Sequence, residues 1–240
     1  LRDTIGLAVV PQRCLSLTNA AGEHVLYIAQ RCQPADHVGD RLLARCSDEE
    51  AVAVLATVVR QTLRVWYRNE IEKELDVPGS QTGLDARLSN WAVTLDEGRV
   101  PGVCYLDTGT PFFRRLGRDH LEPELFLSSV PSTLARFVRR PYVADVLTRY
   151  YDLRLVLLDL LADLHASDQG SRLPLALHVV NHILTSETPD LYVDPIATEE
   201  VERFARQETR FWKRYLALSR LKRFATTKVF RRRYSFVLPA

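Results

Sequence analysis

The stretch that most restricts the fold is "AVAVLATVVRQTLRVWYRNEIEKEL", which begins at Ala51. It is apolar on most sides over its first turns. A helix of that kind needs neighbours around it and belongs inside a domain. Its start is written just upstream. "SDEE" is a capping box, with Ser47 as N-cap and Glu50 at the third helical position. "DVPGSQTG" closes the helix with turn residues. A chain of 240 residues, 46% of them hydrophobic, can supply the surrounding core and is not a disordered polymer.

The flanking sequence divides by type. "TIGLAVVPQRCLSLTN" reads as strands broken by Pro11, and the turn "NAAGE" follows. "HVLYIAQRC" is an apolar run of strand length, expected to be a buried strand that stops before Pro34. "NWAVTL" and "GVCYL" read as a hairpin joined through "DEGRVP". After residue 121 the sequence is helical. One helix is expected from "EPELFLSSV" to "TLARFV", another over "YVADVLTRYYDLRLVLLDLLADLH", a third over "LPLALHVVNHILTS". The last starts near Thr198, with Val201, Phe204, Phe211, Tyr215 and Leu218 at helical spacing. The order of strands, a buried helix, a hairpin and a helical bundle implies an α+β fold with one dominant helical lobe.

Several functions are excluded or disfavoured. Cys14, Cys32, Cys46 and Cys104 are scattered without a C-x-x-C pair, which suits reduced thiols and a cytoplasmic setting. "LRLVLLDLLADLHA" is interrupted by Asp159 and Asp163 and is too short to span a bilayer. There is no signal-peptide pattern and no Gly-rich phosphate loop. No methionine is present, so the chain is expected to be processed or part of something longer. His178 and His182 share a helical face, but no third metal ligand is evident. No nucleophile elbow occurs.

The polar residues of 83–115, "GLDARLSNWAVTLDEGRVPGVCYLDTGTPFFRR", have an order that suits phosphoryl transfer. Asp85 is followed by Asn90 after four residues, and Asp107 comes just before Thr108 and Gly109. That chemistry needs a group to position the attacking hydroxyl and hard oxygen ligands for magnesium. Asn90 starts one strand of the hairpin and Asp107 follows the other, so both belong at the same end of an antiparallel pair.

With these residues the chain resembles the protein-kinase-like superfamily. "LDARLSN" looks like its catalytic loop and "DTG" like its metal-binding turn. The helix-rich remainder is similar to the large lobe of aminoglycoside and choline phosphotransferases. The resemblance covers roughly residues 5 to 165. It implies ATP and magnesium as cofactors and a small-molecule hydroxyl as acceptor, since no activation segment follows "DTGTPFFRR". It makes Asp85 the residue that orients the acceptor and Arg87 a contact to the transferred phosphate. Asn90 and Asp107 become the metal ligands. "HVLYIAQRC" lies where such proteins have the hinge, so Gln30, Cys32 and Gln33 would border the nucleotide. Residues 1–35 would then be residual small-lobe strands and hinge, and residues 36–240 the helical lobe that carries the hairpin.

The departures from the pattern are specific. Gly83 and Leu84 precede Asp85 where a His is usual. The Gly-rich loop, strand Lys and helix Glu of the ATP-clamping lobe are missing. Lys73 lies at the end of the buried helix and cannot take that place. A pseudokinase that binds without transfer is the alternative these absences favour.

Two further features belong to this reading. Asp159 and Asp163 either bind a cationic substrate or mark a solvent stripe. The basic end "FWKRYLALSRLKRFATTKVFRRRYSF" is expected to be a solvated helix whose aromatics pack inward. Neither a membrane nor nucleic acid is expected as a partner, and the oligomeric state is not specified by the sequence.

Overall fold

The computed structural model describes residues 5–20, 22, 24–74, 80–95, 101–108, 112–120, 148–229 and 231. Its elements confirm the α+β composition. Strands β1 (Gln12–Thr18) and β2 (His24–Gln30) form an antiparallel ribbon. A short helix α1 (Gly39–Leu43) leads to the long helix α2 (Asp48–Glu74). β3 (Gln81–Thr82) is followed by the hairpin β4 (Trp91–Thr94) and β5 (Gly102–Tyr105). β6 (Phe113–Arg115) and β7 (Arg118–Asp119) complete a small sheet with β3. Helices α3 (Leu153–Ala166), α4 (Leu173–Ser186) and α5 (Thr198–Phe224) make the helical part.

The capping box forms as the sequence implies. The Ser47 amide donates to Glu50 at 2.7 Å, and the Glu50 amide donates to the Ser47 hydroxyl at 3.2 Å. Ala51, Val54, Leu55, Val58 and Val59 of α2 are fully enclosed. They share one core with the hairpin residues Trp91, Val93 and Tyr105 and with the apolar faces of α3 and α4. Leu7 and Val10 join it from the N-terminal segment, which runs beside β5 through Tyr105 N–H to Ala8 at 2.8 Å.

Two expectations are corrected. "HVLYIAQRC" is a strand but not a buried one. Leu26, Tyr27 and Ile28 are 69%, 52% and 47% exposed. The reason is architectural: among the described residues β2 pairs only with β1, and the alternation of side chains puts apolar groups on both open faces. The long helix expected to reach "DLLADLH" does not run unbroken. A turn at Tyr150–Tyr151 interrupts it, and Asp152 caps a new start by accepting the Leu155 amide at 3.0 Å. The helix expected over "EPELFLSSV" to "TLARFV" and the turn 96–100 lie outside the described residues.

Candidate functional site

Asp85 sits in a loop held from three sides. Asn69 of α2 exchanges hydrogen bonds with the backbone of Thr82 at 2.8 and 2.9 Å, which fixes β3 just before the loop. The Gly83 amide donates to the Phe112 carbonyl at 2.7 Å, and the Leu84 amide to the Tyr150 carbonyl at 3.0 Å. Phe112 and Tyr150 stack at 4.1 Å over this crossing. A Cβ at position 83 would lie 2.5 Å from the Tyr150 carbonyl oxygen, so the close approach requires glycine. Trp91 closes the loop from below, its indole N–H donating to the Ala86 carbonyl at 3.1 Å.

The Asp85 carboxylate is buried and held by Arg87. The Arg87 Nε lies 3.0 Å from both Asp85 oxygens, Nη2 donates to Oδ2, and the Arg87 amide donates to Oδ1 at 3.1 Å. Burial works against the Arg87 charge, but the hydrogen bond and charge of Asp85, with that of Asp159, leave its pKa raised. The same guanidinium lies 3.8 Å from Asp159. Asp159 also meets Arg149 at 3.3 Å, and Arg149 continues to Glu208 of α5 at 2.9 Å. Asp85, Arg87, Asp159, Arg149 and Glu208 thus form a chain of alternating charge from the loop to the last helix. Burial pushes the Asp159 carboxyl up to about 6, although Arg149 and Arg87 oppose it. Burial also raises Asp163, with Arg87 pulling the other way. Burial and the Asp85 charge raise the Tyr150 phenol.

Beside Arg87 opens a cavity of about 300 Å³, walled by Asp159, Asp163, Glu208, Trp212 and Lys213. The solvent-stripe reading of Asp159 therefore fails, because the residue is buried, only 7% exposed, and its carboxylate faces Arg149 and Arg87. Asp163 is half-buried and faces the same cavity.

The hairpin brings Asn90 and Asp107 to one end. β4 and β5 pair with Trp91 opposite Tyr105, and the Leu106 amide donates to the Asn90 carbonyl at 2.8 Å, so Asp107 follows directly. The Asn90 side chain donates from Nδ2 to the Asp85 carbonyl at 3.2 Å. This turns its Oδ1 away from that carbonyl and ties Asn90 to the Asp85 loop. Asp107 is half-buried, and its charge reaches Tyr105, whose hydroxyl is raised first by burial and then by Asp107 and Asp85. Gly109 lies outside the described residues.

Of the three hinge candidates, Gln30 reaches the site. Its amide donates to the Leu106 carbonyl at 2.7 Å and to the Thr108 hydroxyl at 3.1 Å. Thr108 in turn donates to Gln12. Among the described residues the side chains of Cys32 and Gln33 hydrogen-bond only within their own loop: Cys32 Sγ to the Gln33 carbonyl at 3.7 Å, and Gln33 to the Arg31 carbonyl at 3.4 Å. Lys73 pairs with Glu70 on the surface of α2, away from any phosphate role. His178 and His182 stack on the exposed face of α4, and no group of three metal-ligating side chains occurs among the described residues. The basic end departs from expectation in part: Trp212 and Phe224 are 47% and 59% exposed, whereas Phe211 and Tyr215 are half-buried.

Arg149, Tyr150, Glu208, Gln12 and Thr108 were not legible as site residues. Their partners are distant in sequence, and none carries a local motif. One signal was available: Asp159 interrupts an otherwise apolar helix, which requires a buried partner for it.

No curated protein and no solved structure matches this chain. A family profile described as a family of unknown function, DUF6206, matches residues 3–223, nearly the whole sequence. The chain therefore belongs to the DUF6206 family.

Proposed function

We propose that this protein is a kinase-like phosphotransferase that moves the terminal phosphate of ATP to the hydroxyl of a small molecule in the cytoplasm. The observation that carries the reading is the shared end of the hairpin. Asn90, bonded to the Asp85 carbonyl, and Asp107, one residue past the Asn90–Leu106 pairing, lie next to the loop of the buried carboxylate. Two oxygen ligands are few for a protein cage but fit magnesium, which takes one or two protein oxygens and fills its sphere with phosphate and water. Magnesium, when bound, would neutralise the phosphate charge.

The remaining work falls to the chain. Asp85 orients the acceptor hydroxyl and takes its hydrogen bond. Arg87 starts on Asp85 and, with a third of its side chain exposed, turns to an incoming phosphate oxygen, which frees the carboxylate for the acceptor. The cavity beside Arg87 has the size for a small acceptor and not for a protein surface. Gln30 and Gln12 steady the Asp107 turn through Leu106 and Thr108.

A second reading, a nucleotide-binding pseudokinase, is favoured by one observation. Arg87 engages both oxygens of Asp85, which leaves no free acceptor on the carboxylate in this conformation. Magnesium-dependent thermal shift with ATP, ADP and GTP, followed by assay of γ-phosphate transfer to a panel of hydroxylated small molecules, separates the readings. Stabilisation of about 2.7 kcal/mol at a hundredfold excess over Kd is expected for the nucleotide that binds. Binding with transfer supports the enzyme and binding alone the pseudokinase. No magnesium-dependent binding removes both.

A further inference from the structure

The buried apolar residues of the last helix stop part of the way along. Val201 and Ala205 seat the first turns of α5, and Glu208 is held by Arg149. Beyond Glu208 the sequence carries ten Lys and Arg residues and no Asp or Glu, in a chain whose net charge is only +2. The positive charge is thus segregated at one end of a protein that is otherwise acidic. Arg210, Lys213, Arg214, Arg220, Arg223 and Lys228 form no ion pair among the described residues.

Apolar groups stand among these cations. Ala217, Leu221 and Phe224 follow i, i+4, i+7 spacing and fall on one face of α5. Leu221 and Phe224 are 56% and 59% exposed, whereas Ser219, on the opposite face, is fully buried. Arg214 and Arg220 flank the stripe, and exposed Val229 lies just beyond it. The stripe therefore points to solvent, and cations border it.

We propose that this half of α5 is a docking surface for an anionic lipid membrane, lying in the interface with Leu221 and Phe224 inserted and the flanking arginines on lipid headgroups. Charge complementarity selects the partner. A surface with many cations and no carboxylate needs a polyanion, and an exposed aliphatic stripe in its centre needs an apolar layer under that charge. Anionic lipids offer both at the depth of one helix face. Nucleic acid offers the charge, but its bases stack on aromatic rings and give Leu221 and Val229 no counterpart. The contact is with the membrane surface, because no described helix is long and apolar enough to cross a bilayer. It does not depend on the phosphotransferase reading.

Vesicle flotation of the full chain tests the idea, with phosphatidylcholine alone and with phosphatidylserine added. Binding is expected only to the anionic vesicles and should weaken as salt rises. The pair Arg214→Glu, Arg220→Glu should reduce partitioning by more than about tenfold. Leu221→Asp with Phe224→Asp should reduce it separately. All four side chains are exposed, so thermal unfolding of the free variants should match the parent protein and exclude misfolding. Failure to bind anionic vesicles at low salt overturns the proposal. So does binding that the Leu221/Phe224 pair leaves unchanged, since that is adsorption by charge alone. Tighter binding to RNA that displaces the vesicles and ignores the apolar pair assigns the surface to nucleic acid instead.

Discussion

Asp107 and Asp85 are both acidic, yet they sit in different surroundings, and substitution should separate them. Asp107 is half-buried at the hairpin end. Asp107→Asn removes negative charge from the proposed metal site while keeping its shape, so Mg–ATP affinity should fall. Asp85→Asn should keep Mg–ATP affinity and abolish transfer. It should also cost about 1–3 kcal/mol of stability, because the buried charge-assisted bonds to Arg87 are lost. Paired calorimetry and thermal unfolding read both outcomes; unchanged nucleotide affinity in Asp107→Asn would make that residue structural. Gly83 gives a third test at this scale. Gly83→Ala places a methyl against the Tyr150 carbonyl and should destabilise by about 1–3 kcal/mol. Wild-type stability in that variant would show that the crossing of the Asp85 loop and Tyr150 relaxes freely.

Among the elements, legibility followed the range of the interactions. α2 was readable because its cap is local: Ser47 and Glu50 hold one another across three residues. The hairpin was readable because turn chemistry and alternation are local too. The composition of strand β2 implies burial, but burial depends on what packs against a strand, and "HVLYIAQRC" says nothing of that. The break before α3 was hidden because it depends on distant partners: Leu84 of the Asp85 loop bonds the Tyr150 carbonyl and Gln81 of β3 the Tyr151 carbonyl, just before Asp152 caps the new start. The site itself was half visible. Asp85, Arg87, Asn90 and Asp107 lie within one stretch, whereas Arg149 and Glu208 arrive from distant helices. The cap supplies a prediction of its own. Ser47→Ala should lower stability by about 1 kcal/mol, measured as a shift of the urea midpoint without change of slope. No shift would mean that the methyl-rich first turns of α2 are fixed by packing alone.

At the scale of the whole molecule the ladder from Asp85 to Glu208 ties loop, α3 and α5 together, and its middle carboxyl titrates in an accessible range. The folded Asp159 carboxyl is raised to about 6 from an ordinary value near 3.8. Between those values the folded state holds more protons than the unfolded chain. The contribution of Asp159 therefore favours folding below the ordinary value and is lost as pH rises through 6. Asp159→Asn should remove this loss, and the stability difference between pH 4 and pH 7 should change by about 2–3 kcal/mol. Urea unfolding at the two pH values checks it, and an identical pH dependence in the variant would place the titration elsewhere.

The β1–β2 ribbon has a kinetic signature. Two strands with both faces in water have little to hold them beyond their own ladder, and such a pair is marginal in isolation. Its amides should exchange with deuterium through local fraying, long before the amides of α2 that await global opening. The fraying has a direction. Gln12 and Gln30 fasten one end to Leu106 and Thr108, whereas the far end rests on Thr18 and His24. Deuterium should therefore enter at the Thr18–His24 tip first and reach Gln30 last. Gln30→Ala should erase the gradient and let the ribbon label as one unit.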